Sequence, residues 1–253
     1  MTATPAWPPA STPRLYHPVP LRDGAAVLIE GNAAHYLRNV MRVGVGDPLC
    51  LFDDIGGEWL AACRSVGKRA LEFELTAKLR PREAVPDLWL CFAPVKKAAL
   101  DWLVEKATEL GAARLVPVIT ERTIVDRVNL DRLRGITIEA AEQCGRTALP
   151  QLGEPVKLPA LLTAWPEGRA LLFADESGGV AAHQTMAASP PPAALLIGPE
   201  GGFTERERGL LTAHSATRRI SLGPRILRAE TAALAGAALW MALHGEQREG
   251  QGA

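Results

Sequence analysis

Two stretches near the carboxyl end decide how this chain is read: Leu195-Leu196-Ile197-Gly198-Pro199-Glu200-Gly201-Gly202-Phe203-Thr204 and Ile220-Ser221-Leu222-Gly223-Pro224-Arg225-Ile226-Leu227-Arg228-Ala229-Glu230-Thr231. Each reads as an apolar strand, a Gly-Pro turn and the start of a helix. Glycine has no Cβ, so a turn built on it folds tightly and lets a ligand reach main-chain N–H and C=O groups. Two such turns in one domain point to a single small-molecule pocket walled largely by backbone.

The surrounding pattern supports a sheet with helical crossovers. Short apolar runs fall at 88–92, 115–119, 171–174, 195–197 and 219–222. Between them, residues 100, 103, 104, 107 and 110 are apolar at helical spacing, and Gly111 is placed to end that helix. A second helix is expected over 129–144. Thr204 and Glu207 have the spacing of a capping box. The final helix, 229–244, is apolar around most of its circumference and is expected to be deeply buried. The alternation predicts an α/β domain with a mostly parallel sheet over residues 87–245.

Residues 14–80 have a different rhythm. Apolar runs at 26–30, 48–52, 59–63 and 71–77 are separated by turn signals such as Asp54-Ile55-Gly56-Gly57, which predicts a small β-domain. One helix is expected at 33–41, with His35, Arg38 and Arg42 sharing a face. The polar, proline-bearing stretch 80–86 is the linker candidate.

Bulk composition narrows the function classes. Of 253 residues 47% are apolar, ample for a core. Lysine plus arginine equals aspartate plus glutamate at 28 each, so an RNA-binding surface has to be a local basic patch. Cys50, Cys63, Cys91 and Cys144 form no C-x-x-C pair, which favours scattered buried thiols in a reducing cytoplasm over a metal site. Residues 1–13 lack the apolar core of a signal peptide and read as a frayed tail on a soluble protein; no run is long enough to span a membrane. There is no G-x-x-x-x-G-K-S/T, no G-x-G-x-x-G, no H-x-x-x-H and no G-x-S-x-G, which sets aside several common nucleotide, zinc and hydrolase sites.

The two glycine-rich stretches resemble the cofactor loops of the SPOUT class, the trefoil-knotted RNA methyltransferases. Within it the chain is most similar to the small-subunit ribosomal-RNA (uracil-N3)-methyltransferase family. Three further segments match in order: 97–111, Glu142-Gln143-Cys144-Gly145-Arg146, and His35-Tyr36-Leu37-Arg38-Asn39-Val40-Met41-Arg42 with Gly44 and Gly46, the last similar to the family's N-terminal PUA-like β-barrel. The segment after Pro94 departs from the family, which commonly carries a more polar, glycine-bearing turn there.

The resemblance implies a C-terminal knotted domain that binds S-adenosylmethionine and an N-terminal barrel that grips 16S rRNA in the small ribosomal subunit. It implies N3 of a uridine as methyl acceptor, a cytoplasmic homodimer, and no metal or membrane. Onto this sequence it places the cofactor at Leu172, Phe173, Ala174, Ile197, Gly198, Pro199, Glu200, Gly201, Gly202, Leu222, Gly223, Pro224, Ile226 and Leu227. Uridine N3 carries a proton and is a poor nucleophile, so Glu200, Glu142 and Glu230 are candidate acceptors and Arg228 a candidate to steady charge on the base. Arg38, Arg42, Lys97 and Arg146 are candidate RNA contacts, with Lys96, Arg122, Arg127, Arg132 and Arg134 extending the surface.

Plainer readings stand beside these. Glu200 either moves protons or caps the following helix; Arg228 and Glu230 either act or pair with each other or with Arg225; the last helix is either core or a dimer surface. Rival functions are a knotted enzyme acting on a ribose 2′-oxygen or on tRNA, a non-catalytic RNA-binding assembly protein, and a hydrolase holding phosphate at the helix start near Thr204.

Overall fold

A computed structural model describes residues 12–125 and 127–245. All but two residues of the proline-rich tail expected over 1–13 lie outside the described residues. The chain divides into two compact units, Met1–Ala84 with Ala141–Ala148, and Val85–Ala140 with Leu149–Ala253. The segment 141–148, which the sequence assigns to the second domain, therefore belongs with the first.

The first unit holds β1 (Arg14–Tyr16), β2 (Ala26–Glu30), α1 (Gly31–His35), β3 (Pro48–Phe52), β4 (Glu58–Val66) and β5 (Ala70–Arg80). The strands follow the order β1-β3-β4-β5-β2, antiparallel except for the parallel pair β1 and β3. Three register shifts between β4 and β5 curl the ribbon into a half-barrel. Strand β2 shows why it closes on a core: Val27 and Ile29 are buried while Ala26, Leu28 and Glu30 face outward.

The helix expected at 33–41 is interrupted. After α1 the chain widens into a π-turn over Tyr36–Val40, and Met41 N–H donates to Tyr36 O at 3.1 Å. Arg42 then takes a left-handed φ of 55°, so it does not share a helical face with His35 and Arg38. The Arg38 guanidinium donates to the carbonyls of Gly67 and Lys68, bracing the β4–β5 turn.

Polar residues of the presumed linker and of 141–148 are tied into this unit. Glu58, 1% exposed, is shared by Arg14 and Arg80, with Arg80 Nε at 2.7 Å. Those arginines also donate to the carbonyls of Ala141, Gly145 and Arg146. Glu83 accepts from the N–H groups of Thr147 and Ala148, each at 3.0 Å, and pairs with Arg146. Residues 80 and 83 are thus pinned within the first unit rather than part of a free linker. Arg146 is buried, which removes it from the candidate RNA contacts: its guanidinium pairs with the half-buried Glu83 carboxylate instead. Glu142 likewise accepts the Tyr16 N–H at 2.9 Å.

The second unit carries β6 (Leu88–Phe92), α2 (Lys97–Glu109), β7 (Arg114–Ile119), α3 (Leu130–Cys144), β8 (Gln151–Leu152), β9 (Val156–Lys157), α4 (Leu158–Thr163), β10 (Ala170–Ala174), β11 (Val180–Ala181), α5 (Ala182–Ala187), β12 (Ala193–Ile197), α6 (Glu205–Ala213), β13 (Thr217–Ser221) and α7 (Ala229–His244). The residues 141–144 of α3 are grouped with the first unit. The sheet order is β11-β13-β10-β12-β6-β7-β8, with β9 beside β7, and its strand pairs are parallel.

Both faces of this sheet are covered, which is why its strands read as continuous apolar runs. Leu88, Leu90, Phe92, Leu172, Leu195 and Ile197 pack with α2, α5 and α7. The alternate residues Cys91, Leu171, Phe173, Ala194 and Leu196 pack with α4, α6 and Phe203. Burial pushes the Cys91 thiol up to about 12 and the Cys50 thiol of the first unit to about 11. Cys50, Cys63 and Cys91 are buried as expected, but Cys144 is exposed.

Helix α7 is less buried than its composition suggests. Ala229, Ala233, Gly236, Ala237 and Trp240 face the core. Thr231, Ala235, Ala238, Ala242 and Leu243 are exposed. Small apolar side chains raise mean hydropathy without requiring burial on every side.

Glu58→Ala should destabilise the protein by roughly 3 to 5 kcal/mol, because it strands two partly buried guanidinium groups. Denaturant unfolding of the variant against the native chain measures this; a loss within ordinary surface scatter would contradict it.

Candidate functional site

The ends of three neighbouring strands make the site. In the order β13-β10-β12, the chain leaves each strand at its carboxyl end, at Ser221, Ala174 and Ile197. Strands flanking β10 on both sides send their loops over it, the arrangement that opens a ligand crevice in parallel sheets. A cavity of about 300 Å³ lies there, floored by Ala174, Ile197, Ala229 and Ala232 and rimmed by 198–202 and 221–227. That volume is at the lower end of small-molecule sites.

Backbone geometry shapes both rims. In the first, Gly202 N–H donates to Pro199 O at 2.9 Å, closing a turn in which Gly202 takes a φ of 66°. A Cβ at Gly202 would land on the Glu176 carboxylate. In the second, Gly223 has a φ of 115°, a conformation that L side chains rarely adopt. The following side chains turn outward, and Ile226 is 87% exposed.

A polar lattice holds the rims in place. Thr204 is the N-cap of α6 and forms the expected capping box: Glu207 N–H donates to Thr204 Oγ1 at 3.2 Å, and Thr204 N–H to Glu207 Oε2 at 3.0 Å. The cap is therefore Thr204, and Glu200 is left exposed on the rim. The buried Glu207 also accepts Glu121 N–H at 2.8 Å. Arg122 Nη1 donates to Gly201 O at 2.7 Å. Hydrogen bonds from the Thr204 hydroxyl and Arg206 hold Glu121 below the usual carboxylate range.

Beneath the rims, Asp175 is the hub. Burial on its own would raise its carboxyl, but the Ser177 N–H and hydroxyl, both at 2.9 Å, together with Arg208 and Arg219 hold it below its ordinary value. Arg208 also takes Glu176. Helix α6, strand β13 and the loop after β10 are thereby fastened at one carboxylate.

Several expectations need correction. Leu172 and Phe173 do not line the cavity: both are fully buried on opposite faces of the sheet, Phe173 edge-on to Phe203 with centroids 5.2 Å apart. Ala174, the next residue, does. Arg228 and Glu230 also fall outside the lining; Arg228 is the exposed N-cap residue of α7. Among the described residues the two form no ion pair with each other or with Arg225. The other expected residues, Ile197 to Gly202, Leu222 to Pro224, Ile226 and Leu227, line it. Asp175, Glu176, Ser221, Arg225, Ala229 and Ala232 were missed. Asp175 and Glu176 directly follow β10, so the rule that ligands gather at strand carboxyl ends would have found them. Lys97 is exposed at the start of α2, beside the exposed Lys96.

Comparison with known proteins adds the decisive observation. An RNA methyltransferase domain family matches residues 81–241, and an RNA methyltransferase PUA domain family matches 29–76. The chain belongs to the ribosomal RNA small subunit methyltransferase E family. It is 33% identical to the Rickettsia conorii member over 82% of this chain and 85% of that one. To the Bacillus subtilis member it is 32% identical, over 85% and 89%. Its fold is that of the SPOUT-class, PUA-bearing members. The Neisseria gonorrhoeae family structure bound to S-adenosylmethionine superposes with a TM-score of 0.83 at 29% identity, covering 92% of this chain and 98% of that one. A Legionella pneumophila protein solved with the same cofactor gives 0.84 at 30%, covering 93% and 99%.

The depressed Asp175 value has a pH consequence. Its folded-state value lies below that of the unfolded chain, so its stabilisation is fully present above about pH 4 and is lost as pH falls through the folded value. Thermal melts from about pH 6 to about pH 2 should show Asp175→Asn less stable than the native chain near neutrality, with the difference shrinking as acid is added.

Proposed function

We propose that this protein transfers a methyl group from S-adenosylmethionine to N3 of a uridine in 16S rRNA of the small ribosomal subunit, acting as a cytoplasmic homodimer. The observation that carries this is the two-loop cavity at the ends of β10, β12 and β13, in a member of a family whose Neisseria gonorrhoeae structure holds that cofactor. The residues present suit such a ligand. Apolar walls at Ile197, Leu222 and Leu227 accept a nucleoside face, while the turns at Gly202 and Gly223 bring main-chain groups close.

When bound, the sulfonium supplies an already activated methyl group, so no metal is needed to polarise it. The protein's task is alignment of the nitrogen and removal of its proton. Glu200, exposed on the rim, is the carboxylate best placed to accept that proton; Glu142 is engaged with Tyr16, and Glu230 lies outside the lining. Arg38, Arg42 and Lys97 are the proposed RNA contacts, with residues 14–80 as RNA-binding domain and 87–245 as catalytic domain. The exposed stripe Thr231, Ala235, Ala238 and Ala242 on α7 supports pairing of two copies. Among the described residues no helix is long and apolar enough to cross a membrane.

Calorimetry should show S-adenosylmethionine binding more tightly than ATP or GTP, and nucleoside analysis of treated small subunits should show N3-methyluridine. A mark on ribose, or preference for a nucleoside triphosphate, would overturn the reading. Gly202→Ala should weaken cofactor binding roughly tenfold or more, since the left-handed conformation alone disfavours alanine by about 1 to 2 kcal/mol.

A further inference from the structure

We propose that Arg225 holds the reacting uracil, donating to a carbonyl oxygen beside N3 and stabilising the negative charge the base acquires when N3 loses its proton. The proposal rests on the methyl-transfer reading above and gives Arg225 the charge-steadying role that the sequence alone suggests for Arg228.

The charged groups around the cavity lead to it. Four line the walls: Asp175, Glu176, Glu200 and Arg225. Asp175 is engaged by Arg208, Arg219 and Ser177, and Glu176 by Arg208. Arg122, behind the first rim, is committed to the Gly201 carbonyl. Arg228 and Glu230 stand on α7 beyond the lining. Arg225 is therefore the cation of the described lining. It is exposed and forms no hydrogen bond or ion pair among the described residues. By contrast Arg14, Arg80, Arg146, Arg208 and Arg219 are each paired with a carboxylate.

Its neighbour strengthens the case. The left-handed turn at Gly223 carries Arg225 and Ile226 outward together, and Ile226 is 87% exposed although it lines the cavity. An apolar side chain beside a free planar guanidinium suits a flat base that has left its stack: a face to rest on and a directional donor for its carbonyl edge.

The step balances without a further reagent. The N3–H bond breaks and its proton passes to the Glu200 carboxylate or to water. The N3 electron pair forms the bond to the methyl carbon, and the carbon–sulfur pair returns to sulfur. Anionic base and sulfonium cation both end neutral. The donor matters while the base is anionic, so its effect is greatest where deprotonation is hardest, at low pH.

The test uses the full-length protein with unmethylated small ribosomal subunits, comparing native chain, R225A and R225K in single-turnover assays across pH at saturating S-adenosylmethionine. R225A should be slower by roughly 10²-fold near pH 7, with the deficit narrowing as pH rises. R225K should recover part of the rate, keeping the charge without the planar fork. Calorimetric affinity for S-adenosylmethionine should be unchanged in both variants. A deficit that is constant across pH, a parallel loss of cofactor affinity, or native activity in R225A would overturn the proposal. If the native chain makes no N3-methyluridine, the functional reading fails first and takes this proposal with it; native N3 methylation with a flat pH ratio defeats Arg225 alone.

Discussion

Strand β10 lies between β12 and β13, parallel to both, and its two faces are sealed by helices. Everything in the second unit's site follows from that burial. A strand with no wet face cannot carry chemistry along its length, so polar groups are driven to its ends. At the carboxyl ends of these three strands the loops diverge to either side of β10 and leave a crevice between them. The identity of Leu172 and Phe173 is then a packing matter, while Ala174, Asp175 and Glu176, one to three residues on, belong to the site.

Open loops over a crevice need fastening if they are to present backbone groups in fixed positions. Asp175 and Glu207 do this with buried carboxylates, each binding groups from separate elements. Such carboxylates are favourable only when fully satisfied. The same solution recurs in the first unit, where Glu58 and Glu83 gather arginines and main-chain N–H groups from distant parts of the chain. In both places a charge that looks like a surface or binding residue in the sequence turns out to be interior wiring. Arg225 contrasts with these because no such partner meets it among the described residues.

The strands and helices of the α/β half were largely legible. Runs of apolar residues at strand length, helical spacing over 100–110, and the Thr204–Glu207 box are local signals, and local signals survive in one dimension. Leu88–Phe92 and Ala229–His244 stand in the structure with the limits expected of them. The glycine-rich turns also announced a backbone-built pocket, and both of them rim the cavity.

Which residues face that pocket was not legible, for a physical reason. Pointing direction depends on strand register and on which helix covers which face, and both are set by neighbours far away in the chain. Leu172 and Ala174 share a period-two face, yet one is packed in the core and the other opens on the cavity because the strand ends there. The π-turn at Tyr36–Val40 separates Arg42 from Arg38 although their spacing fits a helix. Residues 141–148 belong to the first unit because Arg14, Arg80 and Glu83 reach them across more than 60 positions. Sequence settled most strands and helices of the α/β half and its two glycine-rich turns; long-range hydrogen bonds and burial decided which charges were spent on the fold.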